Sequence, residues 1–111
     1  MTSSAGPGEL RLDIETAVNG PAVWISIRGE ADISTLERLE AALDDIELNG
    51  AKSVRLDVTE LAFADAATIR RLTIFAIRAK ETGHDVETCG AGPTFRMVAR
   101  LLGVRDHLGL L

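Results

Sequence analysis

Asp65 heads the one stretch of this chain whose residue types and spacing invite a chemical reading. In FADAAT, Phe63–Thr68, an apolar run gives way to a helical pattern. A helix that begins where a strand ends presents unpaired backbone N–H groups and the positive end of its dipole. That is a natural place for an anion or a phosphorylated side chain. Here the acid is followed by Ala66 and Ala67, neither of which can accept a phosphoryl group. Thr68 carries a hydroxyl, but at the third helical position it is free to bond to local backbone instead. Asp65 also has a plain structural role, capping the helix by accepting from the backbone N–H of Ala67 or Thr68.

The other chemistry-bearing residues form no constellation. Asp57, Glu60 and Asp65 flank a loop without regular metal-ligand spacing. His84 and His107 are far apart and have no nucleophile to serve, which leaves them surface or packing roles. Cys89 falls in a short strand near the core, where a buried, inert thiol is expected. The run Gly90–Pro93, GAGP, lacks the Lys-Ser/Thr ending of a phosphate loop and reads as a turn. With no nucleophile paired to a base, the chain is not expected to be an enzyme, and no cofactor or metal is expected.

The helix after Asp65 carries a surface signal of its own. At 100° per residue, Ile69, Leu72, Ala76 and Ala79 share the face that should pack on a sheet. Ala67 and Ile74 fall nearly opposite, beside Arg71 and Arg78. Arginine among exposed apolar groups is a composition typical of interfaces.

These residues need a frame to hold them. The chain has 111 residues, enough for one domain with a single core, and 46 % are hydrophobic. A net charge of −5 disfavours nucleic acid as a partner. A single cysteine excludes an internal disulfide and fits a reducing compartment. The uncharged runs fall far short of a membrane span. Residues 1–9 are expected to be a disordered leader, and 10–111 one cytoplasmic domain without direct membrane insertion.

Within that domain, Leu10–Val18 and Ala22–Gly29 alternate apolar and polar residues around an Asn-Gly-Pro turn, which predicts a β-hairpin. Ser34 and Glu37 have capping-box spacing, and Leu36, Leu39, Leu43 and Ile46 make a helical stripe that should run to a stop at Asn49-Gly50. Ser53–Val58 reads as a strand, about Ala66–Thr82 as a second helix, and Asp85–Ala91 as a weaker strand. A third helix should open at Pro93, with Phe95, Val98 and Leu102 inward. The order β-β-α-β-α-β-α predicts an α/β fold, a four-stranded mixed sheet with helices largely on one face.

Three segments in this order resemble the STAS family, the sulfate-transporter and anti-sigma-factor-antagonist domain. RGEADIST, Arg28–Thr35, is similar to the family's Gly-Glu-Leu-Asp segment, which puts Asp32 in the place of its acid. VRLDVTELAFADAAT, Val54–Thr68, resembles its Leu-Asp-Leu strand followed by Phe-x-Asp-Ser-Ser-Gly. GAGPTFRMVARLLGVRDHL, Gly90–Leu108, resembles its last strand, Pro-opened helix and tail. The resemblance implies a non-enzymatic interaction module that binds an anti-sigma factor of the serine-kinase type and so frees a sigma factor. It also implies that ATP and magnesium belong to the partner. In the family the kinase phosphorylates the second serine of Asp-Ser-Ser-Gly. Asp65 matches the family Asp, Ala66 and Ala67 replace both serines, and Thr68 replaces the glycine, so no phosphorylation is expected. The residues expected to meet the partner are Asp32, Asp65, Ala67, Thr68, Arg71, Ile74 and Arg78. Two alternatives are a soluble STAS subunit of a lipid-transport ABC complex, which would bind an ATPase, and a small-ligand or nucleotide-binding STAS domain.

Overall fold

The computed structural model describes residues 11–111. The expected leader, 1–9, and Leu10 lie outside the described residues. The elements run β1 (Leu12–Asn19), β2 (Ala22–Ala31), α1 (Leu36–Asp44), β3 (Ser53–Asp57), β4 (Leu61–Ala64), α2 (Ala66–Glu81), β5 (Asp85–Cys89), α3 (Pro93–Leu102) and α4 (Arg105–Leu108).

The hairpin forms as its alternation predicts, with β1 antiparallel to β2. β2 then pairs in parallel with β3, and β3 with β5, giving the order β1-β2-β3-β5. The period-two pattern sorts the two faces. Val23 and Ile25 of β2 stand in register with Val54 and Leu56 of β3, and Val54 with Val86 of β5; these and Ile27, on the same face of β2, are all buried. Their neighbours Trp24, Arg28, Arg55 and Glu87 line the opposite face and stay partly exposed. On the buried side α1 lies against β1, α2 and α4 against β5, and α3 against α2 and α4. Ile69, Leu72, Ala76 and Ala79 of α2 are all buried there, as their spacing requires. Phe95 of α3 is buried, and Val98 and Leu102 are half-buried against the same core.

Four corrections to the sequence reading follow. The sheet has five strands, because Leu61–Ala64 pairs with β2 as β4. The pairing is possible because β2 changes partner along its length. Ala22–Ser26 pairs with β3, a register shift follows at Gly29, and Gly29–Ala31 pairs with β4. Gly29 has φ +102°, and a Cβ there would lie 2.0 Å from the Arg11 carbonyl oxygen, so only glycine fits the irregularity. A short fourth helix, α4, follows the third where the predicted order ends, and its Leu108 is fully buried.

The other two corrections concern α1. It stops at Asp44, well before Asn49-Gly50. Asp44 and Asp45 place two acids at the negative end of the helix dipole with no base in the last turn, which disfavours continuation. Nor does the capping box form. The helix begins after Thr35 without a side-chain cap. The Thr35 hydroxyl accepts from Asp32 N–H at 3.0 Å, and the Ser34 hydroxyl donates to Asp32 Oδ1 at 2.5 Å, so both serve the preceding loop.

Candidate partner-binding site

β4 brings the two acids of the resemblance side by side. Ala31 pairs with Ala64, and the Asp65 N–H donates to the Ala31 carbonyl at 3.1 Å. Asp32 and Asp65 therefore leave adjacent strand ends. Asp65 has extended backbone and its Oδ1 accepts from Thr68 N–H at 2.9 Å, so the acid caps α2 as its position predicts. Asp32 closes its own loop. Its Oδ1 accepts from both the N–H and the hydroxyl of Ser34, and its Oδ2 pairs with Arg11. The Ser34 hydroxyl first, and Arg11 after it, hold the Asp32 carboxyl below the usual carboxylate range.

The residues of the predicted surface on α2 separate into three kinds. Thr68 turns inward. It is 1 % exposed and its hydroxyl has no hydrogen-bond partner among the described residues. A partner cannot touch that side chain with α2 seated on the sheet. Arg71 is only 12 % exposed at its side chain and is committed to α1, with Nη2 at 3.1 Å from Asp44 Oδ1 and Nε at 3.5 Å from Glu40 Oε2. It holds two helices together and is not a free cation. Ala66 and Ala67 are half-buried in the first turn, while Ile74 and Arg78 stand out in the solvent, Ile74 at 42 % exposure. Arg70, exposed one turn before Ile74, joins them.

Two apolar residues extend this surface beyond what the sequence reading covers. Ile33, in the loop between β2 and α1, is 75 % exposed, and Phe63 of β4 is 47 % exposed. Phe63 borders a groove of about 220 Å³ shared with Pro93 and Thr94 at the start of α3. An apolar residue beside each of the two acids was a signal available in ADIS and FADA. A strand of four residues is too short for its alternation to show which side faces out.

The remaining chemistry-bearing residues are structural. Asp57 Oδ1 accepts from the hydroxyl of Thr59 at 2.6 Å and from its N–H at 3.0 Å, and these bonds lower its pKa. Burial pushes the Cys89 thiol up, away from reactive thiolate, and the nearby Asp57 charge adds to the shift. His84 lies between the Ala79 and Leu48 carbonyls at 3.1 Å from each, tying the end of α2 to the loop before β3. Among the described residues no group of His, Cys, Asp and Glu could hold a metal ion. No described helix is long and apolar enough to cross a membrane.

Comparison with known proteins agrees with this architecture. No curated protein sequence matches the chain significantly. Solved structures do. An anti-sigma factor antagonist from Mycobacterium paratuberculosis superposes with a TM-score of 0.74 at 22 % identity, over 89 % of this chain and 84 % of that one. The anti-sigma factor antagonist SpoIIAA in its unphosphorylated form gives 0.66 at 21 % identity, over 90 % and 85 %. The Bacillus cell fate determinant SpoIIAA in its phosphorylated form gives 0.63 at 19 % identity, over 90 % and 88 %. At these identities the likeness is one of fold. The family model described as Mlab, STAS domain, matches residues 14–111, and this chain belongs to the STAS domain family.

Proposed function

We propose that this STAS domain is a protein-interaction module of the anti-sigma factor antagonist kind, held permanently in the unphosphorylated state. Its partner is an anti-sigma factor of the serine-kinase type, and capture of that partner releases a sigma factor. The observation that carries the reading is the outer ridge of α2. Ala67, Arg70, Ile74 and Arg78 run outward from a helix start capped by Asp65, with Ile33 and Phe63 exposed nearby. An exposed isoleucine among unpaired arginines offers a partner both apolar area and charge.

The resemblance puts Ala67 in the place of the phosphorylated serine. Thr68, the nearest hydroxyl, supports the loss of the switch because a kinase cannot reach an oxygen buried under its own helix. A phosphate at the start of α2 would bring negative charge into the contact, and alanine leaves that brake unavailable. The module itself needs no cofactor and performs no chemistry.

A second reading rests on the matching family description, which names Mlab. The same ridge would then dock on the ATPase of a lipid-transport ABC complex. Recovery of partners from native cell extract on the immobilised chain separates the two, an anti-sigma kinase supporting the first and an ABC ATPase the second. With the kinase in hand, incubation with ATP should leave Thr68 unmodified in mass spectrometry. Stoichiometric phosphate on Thr68 would mean that the switch has moved by one residue and not been lost. Calorimetry of Ala67→Glu against the same partner should show binding abolished or strongly weakened, since the carboxylate imitates the phosphorylated state. Unchanged binding by a folded Ala67→Glu removes the α2 start from the interface.

A further inference from the structure

The net charge conceals a strong asymmetry. Residues 1–65 hold thirteen Asp and Glu against five Lys and Arg, whereas residues 66–111 hold seven Lys and Arg against four acids. Two surfaces outside the α2 ridge lie at the two ends of this asymmetry, and each has an apolar centre.

The first is a groove of about 400 Å³ between the hairpin and the end of α1. Ile14, Thr16 and Val18 point to the helix side of the sheet, in register with buried residues of β2. α1 ends too early to cover them all, so Val18 is left 80 % exposed. Ile46, in the segment that would have continued the helix, lines the groove, with Asp45 and Glu47 beside it.

The second is the outer side of α3. Met97 and Leu101, one helical turn apart, are 46 % and 76 % exposed. Arg96, Arg100 and Arg105 line a shallow cleft with Met97, and Leu101 follows Arg100 in the helix. Arg96 is spent on the Ala91 and Leu111 carbonyls, while Arg100 and Arg105 have no acidic partner among the described residues.

The groove lies at the β1 edge of the sheet, and the ridge on the flank beyond α2 and α4, towards β5. One chain cannot bring them together. An apolar cleft with acidic walls and an apolar ridge with basic flanks are complementary in both shape class and charge. We propose that the chain self-associates head to tail. The Met97–Leu101 ridge of one copy seats in the Ile14–Val18–Ile46 groove of the next, with Arg100 and Arg105 facing Asp45 and Glu47. A pair formed this way keeps one unused groove at one end and one unused ridge at the other, so the contact is heterologous and the assembly grows as an open chain. An anionic membrane is a poorer occupant of the ridge, because a chain of net charge −5 is repelled as a whole from such a surface. The patches are small, which places the contact at the weak end of interfaces, below about 1,200 Å². The α2 ridge takes no part, so self-association and partner binding can fail independently.

Sedimentation velocity tests the proposal with the protein alone. The mean mass of the unaltered chain should rise past two copies with concentration and fall when salt is added. Leu101→Glu disables the ridge and Val18→Glu the groove. Both sites are exposed, so folding should survive, and circular dichroism checks it. Each variant alone should associate about tenfold more weakly or less. Mixed, they should form a one-to-one dimer and nothing larger, because the mixture retains one intact ridge and one intact groove. A monomer at all concentrations overturns the proposal. So does a mass that saturates at two copies, a variant that associates like the unaltered chain, or a mixture that stays monomeric.

Discussion

Two polar surfaces of this domain carry arginines, and they treat them in opposite ways. On the open face of the sheet the cations are spent. Arg28 pairs with Asp13 at 3.0 Å and Glu15 at 2.6 Å, and Arg55 pairs with Glu87 at 2.7 Å while lying 5.4 Å from the centre of the Trp24 ring. Even the single tryptophan has its cation. On the outer side of α2, Arg70 and Arg78 make no ion pair among the described residues, and an isoleucine stands exposed between them. The first surface is complete against water. The second presents charge and apolar area that only another molecule can satisfy. Cross-strand registry explains the difference, because facing residues on neighbouring strands pair automatically. A lone helix face has neighbours only at three and four residues, and on α2 the one acidic neighbour, Glu81 three residues after Arg78, makes no ion pair with it among the described residues.

The largest effect should come from making the second surface resemble the first. Ile74→Asp gives Arg70 and Arg78 an internal acid and removes apolar area worth about 1.5–3 kcal/mol if a partner buries it, or about ten- to a hundredfold in Kd. Folding should be intact, since the core face of α2 is carried by Ile69, Leu72 and Ala76. Glu87→Lys on the sheet face breaks an ion pair and should leave partner affinity unchanged. Calorimetry of both variants decides the contrast. If Glu87→Lys is the one that weakens binding, the sheet face is the interface and the comparison is inverted.

A smaller effect is expected from the buried oxygen beneath the ridge. Thr68→Val keeps the shape and removes a hydroxyl that has no partner. Leaving such a group unpaired costs about 1–3 kcal/mol, so the variant should be more stable by roughly 1 kcal/mol in urea unfolding. A loss of stability would show that the hydroxyl is satisfied, and its burial would no longer separate Thr68 from the acceptor role.

Arg71 tests the boundary between the two treatments. It lies on the ridge in the helical projection, yet it is paired like a sheet-face arginine. Arg71→Ala should cost about 0.5–1 kcal/mol of stability through the lost links to Glu40 and Asp44, and change partner affinity less than Ile74→Asp does. The opposite ranking would return Arg71 to the contact surface.

These contrasts also mark where the sequence stopped being legible. The stripes of α2 and α3, the hairpin and the Asp65 cap depend on residues within a few positions of each other, and pattern reading captures them. The commitment of Arg71 depends on acids 27 and 31 positions earlier, which only the packing of α1 on α2 brings near. β4 depends on a partner exchange at Gly29, and four residues show no usable period. The early end of α1 was readable in the paired acids at 44 and 45, but the apolar stripe reaching Ile46 outweighed them. The exposure of Ile33 and Phe63 follows from the loop and strand that the missed β4 positions.

The smallest effect belongs to the acids, and it has a definite sign. Asp32 accepts from the Ser34 hydroxyl and N–H and pairs with Arg11, and its carboxyl is held below the usual range. A group whose folded pKa is depressed contributes its stability above the unfolded value, about 3.9 for Asp, and loses it as pH falls through the folded pKa. Asp32→Asn should therefore be less stable than the unaltered chain at neutral pH. The gap should close on acidification below about pH 4. Asp57 is lowered in the same direction by Thr59, near the sheet face, so Asp57→Asn should show the same closing gap. Urea midpoints across the acid range measure both. The comparison becomes sharper with the partner present. Asp32 sits beside the α2 start, so a bound partner should protect its loop against acid and leave the Asp57 loop as it was. Equal protection of both loops would mean that the partner covers the sheet face as well as the ridge.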